Sequence, residues 1–252
     1  MKHVILTGHS KGLGEGMALS LLTSNVHLHG VSRTDNDELM KLGKANAAGY
    51  DFYACDLSKT DTIPMLMEQI FNNIDTDTAE GIYLVNNAGL ITPIGRIETL
   101  DPAEIDQHLR VNLLAPIYLI REFIKHTLNM NIEKRALNIS SGAAQNPYHG
   151  WSIYCTGKSG MDLFTRTVAV EQKDHEYPVK LMAIAPGIID TGMQTTIRST
   201  TDEQFVLRSK FVELKETGQL IEPTVAGKKL SEILLGDSFR NGEILDIRDQ
   251  YK

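Results

Sequence analysis

Tyr154 and Lys158 stand four residues apart, and Ser141 lies thirteen residues upstream of the tyrosine. A free tyrosine titrates near pH 10 and is a poor acid-base group at neutral pH. A cation one helical turn away favours the phenolate and lowers that value. Residues four apart share one face of a helix, so the geometry follows if residues 151–172 are helical. A nearby serine hydroxyl can hold a carbonyl oxygen for protonation. This is proton-transfer chemistry without a metal, and it needs a partner that gives or takes a hydride.

The N-terminus offers a site for such a partner. TGHSKGLG, residues 7–14, follows an apolar run and opens a helical pattern. Gly8 suits a tight turn, Gly12 admits a phosphate close to the backbone, and Gly14 allows close helix packing. The free N–H groups of the helix start would face a pyrophosphate. The spacing is Gly-x-x-x-Gly-x-Gly rather than Gly-x-Gly-x-x-Gly. At the end of the next apolar run, an NAD site would carry an acid for the ribose hydroxyls. Here stand Ser32 and Arg33, with Asp35 two residues further on. Arg33 can meet a 2′-phosphate through its planar fork, and Lys11 can add a second cation, so the expected cofactor is NADP(H). Asn87, Ala88 and Gly89 close a later strand and leave room for a ribose. Asp56 is read either as an adenine contact or as a turn cap. Asn112 interrupts a helical pattern that continues to Leu128; asparagine is unfavourable there, which suggests a bend or a held water.

Seven β-rich runs alternate with helical segments: HVILTG, VHLHGVS, GYDFYAC, GIYLVNNAG, RALNISSG, VKLMAIAPG and GEILDI. The alternation predicts βαβ units and a Rossmann-type doubly wound α/β fold, a seven-stranded parallel sheet with helices on both faces. No linker or repeat divides residues 1–252, so one domain is expected. Residues 191–218 are polar, with weak apolar spacing at Phe205, Leu207, Phe211 and Leu214. They follow a strand whose carboxyl end faces the ligand, and read as a substrate lid. Tyr148, Trp151 and Met193 are candidate substrate-pocket walls. LLAPIYLI with Phe123 exceeds one helix stripe, which predicts a homodimer or homotetramer through residues 113–128 and 151–172.

Net charge is −7 with no basic block, which argues against nucleic acid or an anionic membrane as partner. No stretch approaches the roughly 20 apolar residues of a membrane span. No secretory leader precedes Val4, and the expected location is cytoplasmic. Two cysteines exclude a disulfide framework. The eight histidines show no metal spacing, and His149 is the one expected near the site. No metal is assigned.

These pieces together resemble the short-chain dehydrogenase/reductase family along the whole chain. The matching strings are TGHSKGLG, NNAG, Asn112, NISSG with Ser141, YCTGK and PGIIDT. The resemblance makes Tyr154 the acid-base residue, with Lys158 lowering its pKa and binding the nicotinamide ribose. It makes Ser141 the carbonyl-polarising group and Asn112 the holder of a relay water. It implies that the cofactor runs along Leu6, Gly8, Ser10, Lys11, Gly12, Leu13, Gly14, Arg33, Asp56, Asn87, Ala88, Gly89, Tyr154, Lys158, Pro186, Gly187, Ile189 and Thr191. Ile189 and Thr191 would hold the carboxamide. Within the family, NPYHGWSIYCTGK, AIAPGIIDT and GEILDIRD look most like bacterial benzil reductases, which resemble sepiapterin reductases. The implied substrate is a small carbonyl compound, a ketone or α-diketone. The alternatives are a pterin reductase, in which Asp246 would anchor the pterin, and a non-catalytic NADP(H)-binding redox sensor.

Overall fold

The computed structural model describes residues 1–24, 26–46 and 49–248. Its centre is a seven-stranded parallel sheet in the order β3-β2-β1-β4-β5-β6-β7. The strands are β1 (Lys2–Thr7), β2 (Val26–Ser32), β3 (Tyr50–Ala54), β4 (Gly81–Asn86), β5 (Glu133–Ile139), β6 (Lys180–Ala185) and β7 (Ile244–Asp246). Each coincides with one of the seven β-rich runs. Strands covered on both faces cannot alternate apolar and polar residues, and β4 is buried at every position.

The helices are α1 (Gly12–Leu22), α2 (Asp37–Ala45), α3 (Ile63–Asn72), α4 (Pro102–Leu109), α5 (Ala115–Thr127), α6 (Ser152–Glu171), α7 (Gly192–Arg198), α8 (Arg208–Glu216) and α9 (Pro223–Leu235). Odd and even strand positions feed different cores. Val4, Leu6 and Leu28 pack with Met17 and Leu21 of α1 and with Leu230 and Leu234 of α9. Ile5, Val31 and Leu84 pack with Ile63 and Ile70 of α3, Leu119 and Phe123 of α5, and Val168 of α6. No helix among the described residues is long and apolar enough to cross a membrane.

The first three strands run outward from β1, and β4 then returns to its other side. That reversal opens a crevice at the carboxyl ends of β1 and β4, where such sheets bind ligands. Beyond β6 the chain leaves and returns at one stem, where Ile189 bridges Ile221 and Asp190 N donates to Ile221 O at 2.9 Å. The excursion carries α7 and α8 over the crevice.

Candidate active site

A cleft of about 810 Å³ follows the carboxyl ends of the strands. Its floor at one end is the turn after β1. Gly8 and Gly12 hold φ of +66° and +59°, a region that side chains disfavour. A Cβ on Gly14 would lie 2.1 Å from the Gly8 carbonyl oxygen, so only glycine lets α1 approach its own turn. Lys11, at the start of α1, makes no side-chain cap, which leaves the first N–H groups available to an anion. Asn87 braces the turn: Nδ2 donates to Thr7 O at 2.9 Å and to Gly8 O at 3.2 Å. A glycine cradle at a helix start fits a dinucleotide pyrophosphate.

Most of the expected cofactor residues line this cleft: Gly8, Ser10, Lys11, Gly12, Leu13, Gly14, Arg33, Asp56 and the run Asn87 to Gly89 at one end, with Pro186, Gly187, Ile189 and Thr191 at the other. Leu6 does not. It is wholly buried among Val4, Met17 and Leu21, because its position in β1 points into a core. Arg33 and Lys11 are exposed at the rim. Asp56 Oδ1 accepts from Ser58 N at 3.0 Å and Ser58 Oγ at 2.8 Å, so it caps a turn while lining the cleft. Asp35 is engaged by the Tyr50 hydroxyl and by Asn36 N at 2.7 Å.

The proton-transfer group sits midway along the cleft. Tyr154 and Lys158 project from one face of α6, both buried, and the helix begins one residue after Trp151. Ser141 Oγ accepts from Ala143 N at 3.2 Å, and its hydroxyl lies close enough to Tyr154 to favour the phenolate. Lys158 Nζ donates to Ile139 O at 2.7 Å and lies 5.8 Å from the centre of the Tyr154 ring. Burial raises the Tyr154 pKa, and the Ser141 hydroxyl opposes that rise. The expected lowering by Lys158 is therefore not what dominates here. Burial instead lowers the Lys158 pKa to about 8, with the Asp162 carboxylate pulling the other way.

Asn112 lies in a π turn, Arg110–Leu114, that joins α4 to α5. One extra residue in a turn bends the helix, a geometry common at functional sites. Its side chain clamps a loop: Nδ2 donates to Leu90 O at 2.7 Å, and Oδ1 accepts from Leu90 N at 2.8 Å. Nδ2 also donates to His108 Nε2 at 2.9 Å. Both amide hydrogens are thus engaged within the protein. His108, absent from the sequence reading, is fully buried, and its Nδ1 donates to Thr92 O at 2.6 Å. Its place four residues before Asn112 was the available signal. His149, the histidine expected near the site, is exposed and does not line the cleft. Asp162, four residues after Lys158, was also missed; it accepts from Ser140 Oγ at 2.5 Å.

Tyr148, Trp151 and Met193 all line the cleft. Trp151 stacks on Phe205 at 4.5 Å and meets Phe211 and Tyr154 edge-on, each at 5.6 Å. The segment above the cleft is thereby joined to Tyr154 through one indole. Asp246 also lines the cleft, and Arg248 donates to both of its oxygens, at 2.9 and 2.6 Å.

A glycine-cradled crevice with a Ser-Tyr-Lys group at its centre defines a nicotinamide-dependent oxidoreductase. A family profile described as short chain dehydrogenase matches residues 2–202, and the chain belongs to that family. It is 40% identical to a benzil reductase ((S)-benzoin forming) of Bacillus cereus over 247 residues, covering 98% of this chain and 99% of that one. It is 29% identical to the sepiapterin reductase of Xenopus laevis, over 97% and 95% of the two chains. Among solved structures, the KRED1-Pglu enzyme superposes with a TM-score of 0.82 at 28% identity, over 97% of this chain and 100% of that one.

Proposed function

We propose that this protein is an NADPH-dependent carbonyl reductase that converts a ketone or α-diketone of the benzil type into the hydroxy compound. The observation that carries the reading is that Ser141, Tyr154 and Lys158 line the same cleft as the glycine turn, Arg33 and Lys11. The B. cereus benzil reductase, at 40% identity, supports the substrate class.

When bound, NADPH supplies a hydride to the carbonyl carbon. The chain's residues do the rest. The α1 start and the glycine turn hold the pyrophosphate, while Arg33 and Lys11 hold the 2′-phosphate. Asp35 is engaged by Tyr50 and Asn36 and does not line the cleft, so it is not offered to a ribose hydroxyl there. Ser141 donates to the substrate carbonyl oxygen, and Tyr154 delivers the proton there. Cationic Lys158 stabilises the phenolate that remains. Residues 191–218 cover the pocket, with Phe211 on its wall and Phe205 packed behind Trp151. The Asp246–Arg248 ion pair removes the main argument for pterin anchoring, because that carboxylate already has a cationic partner. An intact proton-transfer group favours an enzyme over a sensor, which needs the cofactor cradle alone.

We also propose a cytoplasmic homodimer or homotetramer. Tyr118 of α5 and Leu163 and Val170 of α6 are exposed, apolar and on the helices expected to pair. The test of function is nicotinamide absorbance after adding benzil, other diketones, aldehydes and a pterin to enzyme with NADPH. Fast oxidation with diketones and little with the pterin supports the reading. Preference for the pterin, or no oxidation with any of them, overturns it.

A further inference from the structure

A second cluster of chemistry-bearing side chains lies at the opposite end of the sheet. His3, His27 and Asp51 are the second residues of β1, β2 and β3, and His29 is the fourth of β2. The register pairs His3 with His27 and His29 with Asp51, so all four side chains emerge on one face. His27 Nε2 is 2.8 Å from Asp51 Oδ2, and His29 Nδ1 is 3.6 Å from the same oxygen. The three ligand atoms of His27, His29 and Asp51 all lie within 4.8 Å of one another.

We propose that His27, His29 and Asp51 form a binding site for a divalent transition-metal ion of the zinc class, separate from the reductase site. Zinc takes imidazole and carboxylate ligands at about 2.0–2.2 Å, which sets neighbouring ligand atoms roughly 3.3 Å apart in a tetrahedron. The two histidine–aspartate separations bracket that spacing, and the two imidazole ligand atoms lie within 4.8 Å of each other. Two imidazoles and one carboxylate suit zinc and its late-transition neighbours rather than magnesium or calcium.

The surroundings of His29 also fit. Its second ring nitrogen, Nε2, lies 3.1 Å from His3 Nδ1. With a metal on Nδ1, the Nε2 hydrogen has an acceptor ready, which fixes tautomer and ring orientation as metal-bound histidines require. His29 is fully buried, whereas the Asp51 side chain is 40% exposed, which gives an ion a way in from solvent. The His27 and His29 rings lie 4.6 Å apart and 13° from parallel, so loading requires them to turn toward a common point. His27 and His29 are two residues apart in β2, and the carboxylate of Asp51 reaches them only through the pairing of β2 with β3. An ion here would staple β2 to β3.

The test is titration of the chelator-stripped, tag-free protein with Zn²⁺ by calorimetry, together with its thermal midpoint. The expected result is one ion per chain and a midpoint that rises with free Zn²⁺ by mass action. Asp51→Asn and His27→Gln, both at partly exposed positions, should each weaken binding at least tenfold, whereas His149→Gln should not. Co²⁺ as a probe should give visible d–d bands that both site variants lose. Absence of stoichiometric binding, or equal Zn²⁺ affinity in wild type and both site variants, overturns the proposal. None of these readouts depends on NADPH or turnover, so the outcome is independent of the reductase reading.

Discussion

The His108 ring stands edge-on to the Tyr154 ring, with centroids 6.0 Å apart and planes at 86°. The same imidazole accepts from Asn112 Nδ2 and donates to Thr92 O, so one buried ring supports Tyr154, the π turn and the loop after β4 together. Burial lowers its pKa, the Thr92 carbonyl opposes this, and nearby Lys158 lowers it further, which keeps the ring neutral and able to accept.

Replacing His108 by alanine should therefore act on the whole arrangement. It leaves an Asn112 N–H and the Thr92 carbonyl without this partner and opens space beside Tyr154. An unsatisfied buried polar group costs about 1–3 kcal/mol. The expected result is a lower midpoint in denaturant and a fall in kcat larger than any change in NADPH affinity. Unchanged stability and unchanged kcat would show that the ring is a bystander.

Lys158 gives a pH signature with a definite sign. Its pKa falls from 10.5 in the unfolded chain to about 8 in the fold. Below pH 8 both states are protonated and the full burial cost is present. Between about 8 and 10.5 the unfolded state binds more protons, so stability attributable to this group rises with pH. Unfolding free energies from pH 7 to 10 should show this rise in wild type and not in Lys158→Met. Turnover should fall over the same range as the cation is lost. Equal pH slopes in the two proteins would contradict the assignment.

The proposed preference for NADPH rests on Arg33 with help from Lys11. A charge-assisted hydrogen bond contributes about 1.5–3 kcal/mol, and 1.4 kcal/mol is about tenfold in affinity. Arg33→Ala should raise KM for NADPH roughly tenfold or more and leave KM for NADH little changed. Lys11→Ala should act in the same direction. An unchanged NADPH/NADH ratio in both variants, or a wild type that prefers NADH, would remove the phosphate clamp.

The Trp151–Phe205 stack joins the segment over the cleft to the site. Phe205→Ala should raise KM for a diketone and leave NADPH binding unchanged, because Phe205 packs against the substrate end and does not touch the glycine turn. Equal loss of both affinities would point to general unfolding of the segment instead.

Much of this was legible in the chain because it is local. The β-rich runs fall on the seven strands, and the glycine spacing identifies a turn whose steric need, Gly14 against the Gly8 carbonyl, is real in space. Tyr154 and Lys158 share a face because a helix period puts them there. What was hidden depends on partners far apart in sequence. The resemblance put Leu6 along the cofactor, yet strand alternation turns its side chain into a core. Asn112 invited a water, and only the fold brings Leu90 and His108 to its amide. The effect of Lys158 on Tyr154 was argued from charge alone, whereas burial of both groups sets the direction of each shift. His27, His29 and Asp51 meet only because β2 pairs with β3.

The most direct measurement of the central claim is single-turnover and steady-state reduction of benzil by Tyr154→Phe, with NADPH affinity measured in parallel. The ring is retained and only the phenolic proton donor is removed. Groups of this kind contribute about 10²–10⁴-fold. The account expects NADPH to bind nearly as in wild type while kcat falls by roughly a hundredfold or more. A variant that keeps more than about a tenth of wild-type kcat would contradict the role of Tyr154 as proton donor.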